Sequence, residues 1–299
     1  MKTHQHFDPA GFAHPEFLVE TEWLQHHLHD PAVVVLDCTT HLVPDPKVTY
    51  HVVPGRADFE RAHIPGAQFV DLQADLSDPG HEFRFMLPSS DAFAATMSRL
   101  GIGDATRVVL YSTANVWWAT RVWWLLRVFG HDNAAVLDGG FQAWSREARP
   151  VEQGLGTARP ATWFSARLPR PMMANRDDVA ASLADGAVCT INALTPAQHA
   201  GTGGNSYGRA GHIAGSVNLA AAHLLDPDTN RFLPGPELRA KFDAIGAMDR
   251  RVITYCGGGI AASADALALV MLGHRDVRLY DASLSEWAKD PSLPMATGF

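Results

Sequence analysis

The chain is written twice. The segment RVVLYSTANVWWATRVWWLLRVFGHDNAAVLDGGFQAW, starting at Arg107, returns as RVITYCGGGIAASADALALVMLGHRDVRLYDASLSEW, starting at Arg251. Tyr111 aligns with Tyr255 and Ser112 with Cys256. His131, Asp138 and Trp144 then align with His274, Asp281 and Trp287, one residue having been lost between the two sets. Upstream, RAHIPGAQFVDL from Arg61 matches RAGHIAGSVNL from Arg209, and VVVLDCT from Val33 resembles AVCTINA from Ala187. A repeat of this length constrains the chain to two copies of one fold. Its 299 residues are enough for two domains that each bury a core.

Within each copy, short apolar runs alternate with amphipathic segments. Val33 to Leu36, Val108 to Tyr111 and Ala135 to Leu137 read as buried strands, and Thr21 to Leu28, Ser89 to Leu100 and Trp117 to Phe129 as helices. Gly130 and Gly273 follow their helices as C-terminal caps. Asn175 is placed to cap a helix running through Leu183, and Pro236 to open one ending near Ile245. Strand–helix alternation predicts an α/β fold in which each copy is a parallel sheet flanked by helices on both faces. The stretch from Ala148 to Pro171 is rich in Pro, Gly and Arg and lacks helical periodicity. It divides the chain into a first domain over 1–150, a linker over 151–170 and a second domain over 171–299.

Composition narrows the function classes. A net charge of -8 carries no electrostatic footprint for nucleic acid or for an anionic membrane. No apolar run reaches the ~20 residues that span a bilayer. The N-terminal MKTHQHFDPAGF lacks the apolar stretch of a secretory leader, so a cytoplasmic location is expected. Cys38, Cys189 and Cys256 are odd in number and widely spaced, which argues against a disulfide framework or a zinc site. His26, His27 and His29 cluster at a helix end and read as a solvated face. No metal or organic cofactor is called for.

The most informative segment is the turn after the strand Arg251 to Tyr255. Cys256, Gly257, Gly258, Gly259 and Ile260 stand between that strand and a helix over Ala261 to Leu272. Loops at this end of a parallel strand are where α/β sheets hold ligands. Successive glycines let the backbone curl so that amide N–H groups converge on one point. A helix N-terminus favours negative charge at that point. A thiol there is expected as a nucleophilic thiolate, with the backbone amides of Gly257, Gly258, Gly259, Ile260 and Ala261 binding an anionic substrate or persulfide. The plainer alternative is a buried strand-end cysteine beside an ordinary glycine turn.

Together, these residues resemble the rhodanese superfamily, and specifically its tandem two-domain sulfurtransferases of the thiosulfate/3-mercaptopyruvate type. The resemblance rests on two His-Ile-x-Gly segments (His63 to Gly66, His212 to Gly215), the Tyr-Cys-Gly-Gly-Gly-Ile loop, and two Asp-x5-Trp closures (Asp138 to Trp144, Asp281 to Trp287). It implies two tandem rhodanese-like domains, the first inactive, with Ser112 at the cysteine's place, and the second catalytic. It also implies that Cys256 takes a sulfur atom from a small-molecule donor such as thiosulfate and passes it, as a persulfide, to a nucleophilic acceptor such as cyanide or a thiol.

The chain departs from the family at the donor-binding positions. The thiosulfate branch carries Cys-Arg-Lys-Gly and the mercaptopyruvate branch Cys-Gly-Ser/Thr-Gly; here Gly257 and Gly258 fill those places. The mercaptopyruvate branch's carboxylate-binding arginines fall on Leu194 and Ala200, and its Asp–His pair on Gln73 and Phe85. Arg209 is the remaining candidate anion contact, with His199 or Tyr207 beside it, its alternative being to pin its own loop. His212, Asp138 and Asp281 recur in both copies or have a counterpart there, and are expected to be structural. Cys38 and Cys189 read as inert core thiols. Trp123 and Trp124 read as core, whereas Trp117 or Trp118 is placed to face a cleft. A 3-mercaptopyruvate sulfurtransferase is the alternative within the class, and a non-catalytic rhodanese-like binding or regulatory protein the alternative outside it. Phosphatase chemistry on the same fold needs Cys-x5-Arg, but Ala262 stands at the arginine's place.

Overall fold

In the computed structural model, residues 11–45, 49–204 and 207–299 are described. The first ten residues, which include most of the segment inspected for a leader, lie outside them.

Each copy folds around a five-stranded parallel sheet. The first runs in the order Leu18–Val19, Ala134–Leu137, Arg107–Tyr111, Val33–Asp37, Gln68–Phe69. The second runs Met173–Ala174, Val277–Tyr280, Arg251–Tyr255, Val188–Asn192, Val217–Asn218. The order is the same in both, so the duplication in sequence is a duplication in topology. Its register agrees residue by residue: Asp37 sits opposite Tyr111 as Asn192 sits opposite Tyr255.

The sheets are covered on both faces, as strands of unbroken apolar character require. In the first sheet, Val34, Leu36, Val108 and Leu110 point to one side and Val33, Val35, Val109 and Tyr111 to the other. Helices form where the sequence marks them: Thr21–His27, Ser90–Arg99, Trp117–Val128, Arg176–Ser182, Gly235–Ala244 and Ala262–Met271. The Asn175 side chain accepts the Asp178 N–H while Asp178 reaches back to the Asn175 N–H, closing a capping box.

The halves share a core. Helices Trp117–Val128 and Ala262–Met271, equivalent in the repeat, pack against each other and merge the inner faces of the two sheets into one apolar cluster. Thr120 and Ser263 hydroxyls meet across this contact at 2.6 Å. The aspartates of the two closures lock the halves reciprocally. Asp138 Oδ1 accepts the Phe232 N–H of the second half at 2.9 Å, and Asp281 Oδ2 accepts the Leu87 N–H of the first at 2.8 Å. Arg121, fully buried, reaches from the first half to within 2.7 Å of Asp281 and donates to the Phe85 carbonyl at 2.5 Å. A charge this deep persists only when paired.

One element was not foreseen from the sequence. Thr40–Asp45 and Thr49–Pro54 pair as an antiparallel hairpin that has no counterpart in the second half among the described residues. Pro44 inside the first strand hides its strand character.

Candidate active site

Cys256 stands directly after the central strand of the second sheet, and the polypeptide turns there before the helix Ala262–Met271. Two glycines explain why this turn has no side chains. A Cβ on Gly257 would lie 2.0 Å from the hydroxyl end of Tyr207, so the phenol sits directly against the backbone. Gly259 holds φ +72 with the Asp281 carbonyl where a Cβ would go, at 2.7 Å. Gly258 is different: its Cβ would meet only the Ser285 Oγ at 3.7 Å, so a side chain is admissible there.

The loop is anchored from the segment after the last strand. Ser283 adopts φ 52, a left-handed conformation rare for a residue with a side chain. In that position its Oγ accepts the N–H groups of Cys256 (3.1 Å) and Gly259 (3.2 Å) and donates to the Tyr280 carbonyl at 2.7 Å. Leu284 and Ser285 N–H groups bind the Cys256 and Gly257 carbonyls, and the Ser285 hydroxyl also binds the latter at 2.7 Å.

Among the described residues, the N–H groups of Gly257, Gly258, Ile260 and Ala261 have no acceptor within the protein. This corrects the expected set of amides. Gly259, counted with the others from the glycine run, turns its N–H to Ser283 and does not line the cavity.

The cavity beside Cys256 holds about 250 Å³. Cys256, Gly257, Gly258, Ile260 and Ala261 form its floor. Leu194, Gln198, Tyr207 and Ala221 of the second half supply one wall, and Leu42, Tyr50, Phe85, Asn115, Trp117 and Trp118 of the first half supply the other. Both tryptophans weighed for the cleft reach it, whereas Trp123 and Trp124 are in the core. Burial pushes both phenols, Tyr50 and Tyr207, above the usual tyrosine range, and a charge on Cys256 pushes them the same way. They face the cavity as neutral hydroxyls.

Arg209 does not serve as an anion contact. Its guanidinium donates to the carbonyls of Trp287, Ala288, Asp290 and Leu293, at 2.5 to 3.0 Å, and it lies outside the Cys256 cavity. Carbonyls at and after the end of the helix Ser283–Trp287 take up four of its five donors, a partnership that no local motif announces. His199 is buried and stacked on His212 at 3.7 Å, and burial lowers its pKa to about 4, so it adds no cation either. His212 donates from Nδ1 to the His199 carbonyl at 2.8 Å, an internal contact. Cys38 and Cys189 are buried, and burial raises both thiols, as inert core residues require.

The rhodanese-like domain model matches residues 20–147 and again 177–290. The chain belongs to the rhodanese family. It is 33% identical to the sulfur carrier protein TtuD of Thermus thermophilus, over 96% of this chain and 99% of that one. It is also 33% identical to the thiosulfate sulfurtransferase of Cricetulus griseus (90% and 91%), and 32% identical to a probable 3-mercaptopyruvate sulfurtransferase of Pseudomonas aeruginosa (94% and 98%). Among solved structures, SseA of Escherichia coli, a 3-mercaptopyruvate sulfotransferase, superposes with TM-score 0.78 at 29% identity, over 89% of this chain and 98% of that one. The protein is a sulfurtransferase of the rhodanese type, with two tandem rhodanese domains. Among the described residues no helix is long and apolar enough to cross a membrane.

Proposed function

We propose that this rhodanese carries sulfur on Cys256 alone. The Cys256 thiolate attacks the outer sulfur of a donor such as thiosulfate; the S–S bond breaks, sulfite leaves with the electron pair, and a persulfide remains. A nucleophilic acceptor, cyanide or a thiol, then attacks the outer persulfide sulfur and restores the thiolate. The amides of Gly257, Gly258, Ile260 and Ala261 hold the anionic sulfur in both steps, as preorganised donors that need no rearrangement.

One observation carries this reading: Cys256 lies at the floor of a cavity, beneath backbone N–H groups that have no partner among the described residues. The domain limits of 1–150 and 171–299 and a reducing, cytoplasmic setting belong to the same proposal, the latter because all three thiols are free. The test is turnover of thiosulfate with cyanide, read as thiocyanate. Cys256→Ser is expected to abolish it while circular dichroism and melting stay those of the parent. A Cys256→Ser protein that still turns over would reject the assignment.

A further inference from the structure

The loop amides account for the transferred sulfur but not for the other end of the donor. When the S–S bond of thiosulfate breaks, the electron pair leaves on sulfite, and negative charge grows on oxygens that stand above the floor. Gly257, Gly258 and Leu194 present no side-chain donor to them. Arg209 approaches only from an adjoining pocket, which shares Leu194, Gln198 and Tyr207, and four of its donors are already on carbonyls.

The first half supplies what is missing. Its hairpin, which has no counterpart in the second half among the described residues, carries Tyr50 into the wall of the Cys256 cavity. The Tyr50 hydroxyl has no hydrogen-bond partner among the described residues, so its proton is available to a ligand. Arg84, next to Phe85 of the same wall, donates from Nη1 to the Tyr50 carbonyl at 2.7 Å and lies over the Tyr50 ring, 5.0 Å from its centre. It pairs with no carboxylate among the described residues, so its charge is free to act on the ring. A guanidinium stacked on a phenol draws on its electron density and makes the O–H a better donor. Burial raises the Tyr50 pKa, the Arg84 charge lowers it, and a charge on Cys256 raises it. The phenol therefore stands within electrostatic reach of both the cation and the sulfur.

We propose that Tyr50 is the residue that meets the leaving group: its hydroxyl donates a hydrogen bond to the sulfite oxygens, and Arg84 positions and polarises the ring for that task. The inference rests on Cys256 being the carrier and adds the group that binds the other end of the donor. The Cys256 thiolate bonds to the outer sulfur, the S–S bond breaks, and sulfite departs with the electron pair. Tyr50 keeps its proton throughout, sharing it with the departing oxygens, where a charge-assisted bond is at its strongest.

The test separates the half-reactions. Persulfide formation is followed in a single turnover with thiosulfate, and discharge by mixing the loaded protein with cyanide. Tyr50→Phe is expected to slow formation by about tenfold to a hundredfold, the scale of a hydrogen bond to a charged group, and to leave discharge unchanged. Arg84→Gln is expected to slow the same step by about two- to fivefold, the scale of a cation–π contact, and Arg84→Lys to recover most of that loss. Formation at the parent's rate in Tyr50→Phe would overturn the proposal. So would equal slowing of both half-reactions, which is what a merely structural hairpin gives. Cys256→Ser separates the two levels. If it takes up sulfur, the carrier assignment fails; if it is inert while Tyr50→Phe forms persulfide as fast as the parent, only the role of Tyr50 fails.

Discussion

The two halves share a topology and differ at one turn. In the first half Ser112 follows the central strand, its hydroxyl accepts the Ala114 N–H at 3.0 Å, and Gln142 binds the carbonyls of Thr113 and Ala114. The closing segment opposite it carries Gly140, at φ 56. In the second half Cys256 replaces Ser112, three glycines replace Thr113 to Asn115, and Ser283, at φ 52, replaces Gly140. The first turn is thus satisfied by side chains, Ser112 within it and Thr39 and Gln142 from outside it. The second is stripped of side chains and held by a hydroxyl from outside, which leaves its remaining amides unoccupied. On the proposed reading, losing internal partners is what lets the second copy bind an anion.

The largest effect expected of breaking this arrangement is on the joint between the halves. Arg121→Leu leaves Asp281 buried without its cation, and is expected to cost about 3–5 kcal/mol in denaturant unfolding. A loss under ~1 kcal/mol would mean that the ion pair does not join the halves.

A second contrast concerns Asp37 and its counterpart Asn192. Asp37 is sealed, with one oxygen bound to Thr39, and burial raises its pKa from 3.8 to about 6. The folded chain therefore holds this proton more tightly than the unfolded chain. The resulting stabilisation is complete below about pH 4 and is lost as pH rises through about 6. Asp37→Asn, which copies the second half, is expected to stabilise the protein at pH 7 relative to pH 4 by up to about 3 kcal/mol against the parent. Parallel stability–pH profiles for the two proteins would contradict this.

Ser283 is tested more gently. Ser283→Gly restores the first half's residue, relieving the left-handed strain while removing the hydroxyl. It is expected to lower kcat/KM by about tenfold, the scale of lost hydrogen bonds to two buried amides, without lowering the melting temperature by more than a few degrees. Unchanged kcat/KM would show that the loop holds its shape unaided. The smallest expected effect is none. Ser112→Cys puts a thiol at the equivalent position, but Ser112 is buried and outside the cavity, so no second sulfur-carrying site should appear in a persulfide assay.

Much of this was legible in the chain. The apolar runs at Val33 and Val108, the caps at Asn175 and Gly273, and the repeat itself fix the sheets, because buried parallel strands and capped helices are local patterns. The turn was legible too, since the glycine run marks the break between the strand Arg251–Tyr255 and the helix that follows, where Cys256 stands. The cavity walls were not. Leu42 and Tyr50 arrive on a hairpin masked by Pro44, and Phe85 arrives through a loop held by the Asp281–Leu87 bond, so tertiary contacts bring them to the sulfur. The sequence leaves Arg209 open between two roles for the same reason, its carbonyl partners lying far along the chain. Ser283 left a readable trace: aligned with Gly140, it puts a side chain where the repeat has a glycine.

The central claim is that one copy, at one atom, holds the sulfur. The direct measurement is to load the intact protein with donor, count cyanide-labile sulfur per chain, and locate it by peptide mass spectrometry. The account predicts a single sulfur, on the peptide bearing Cys256. Sulfur on Cys38 or Cys189, or a loaded protein with Cys256 unmodified, would contradict it.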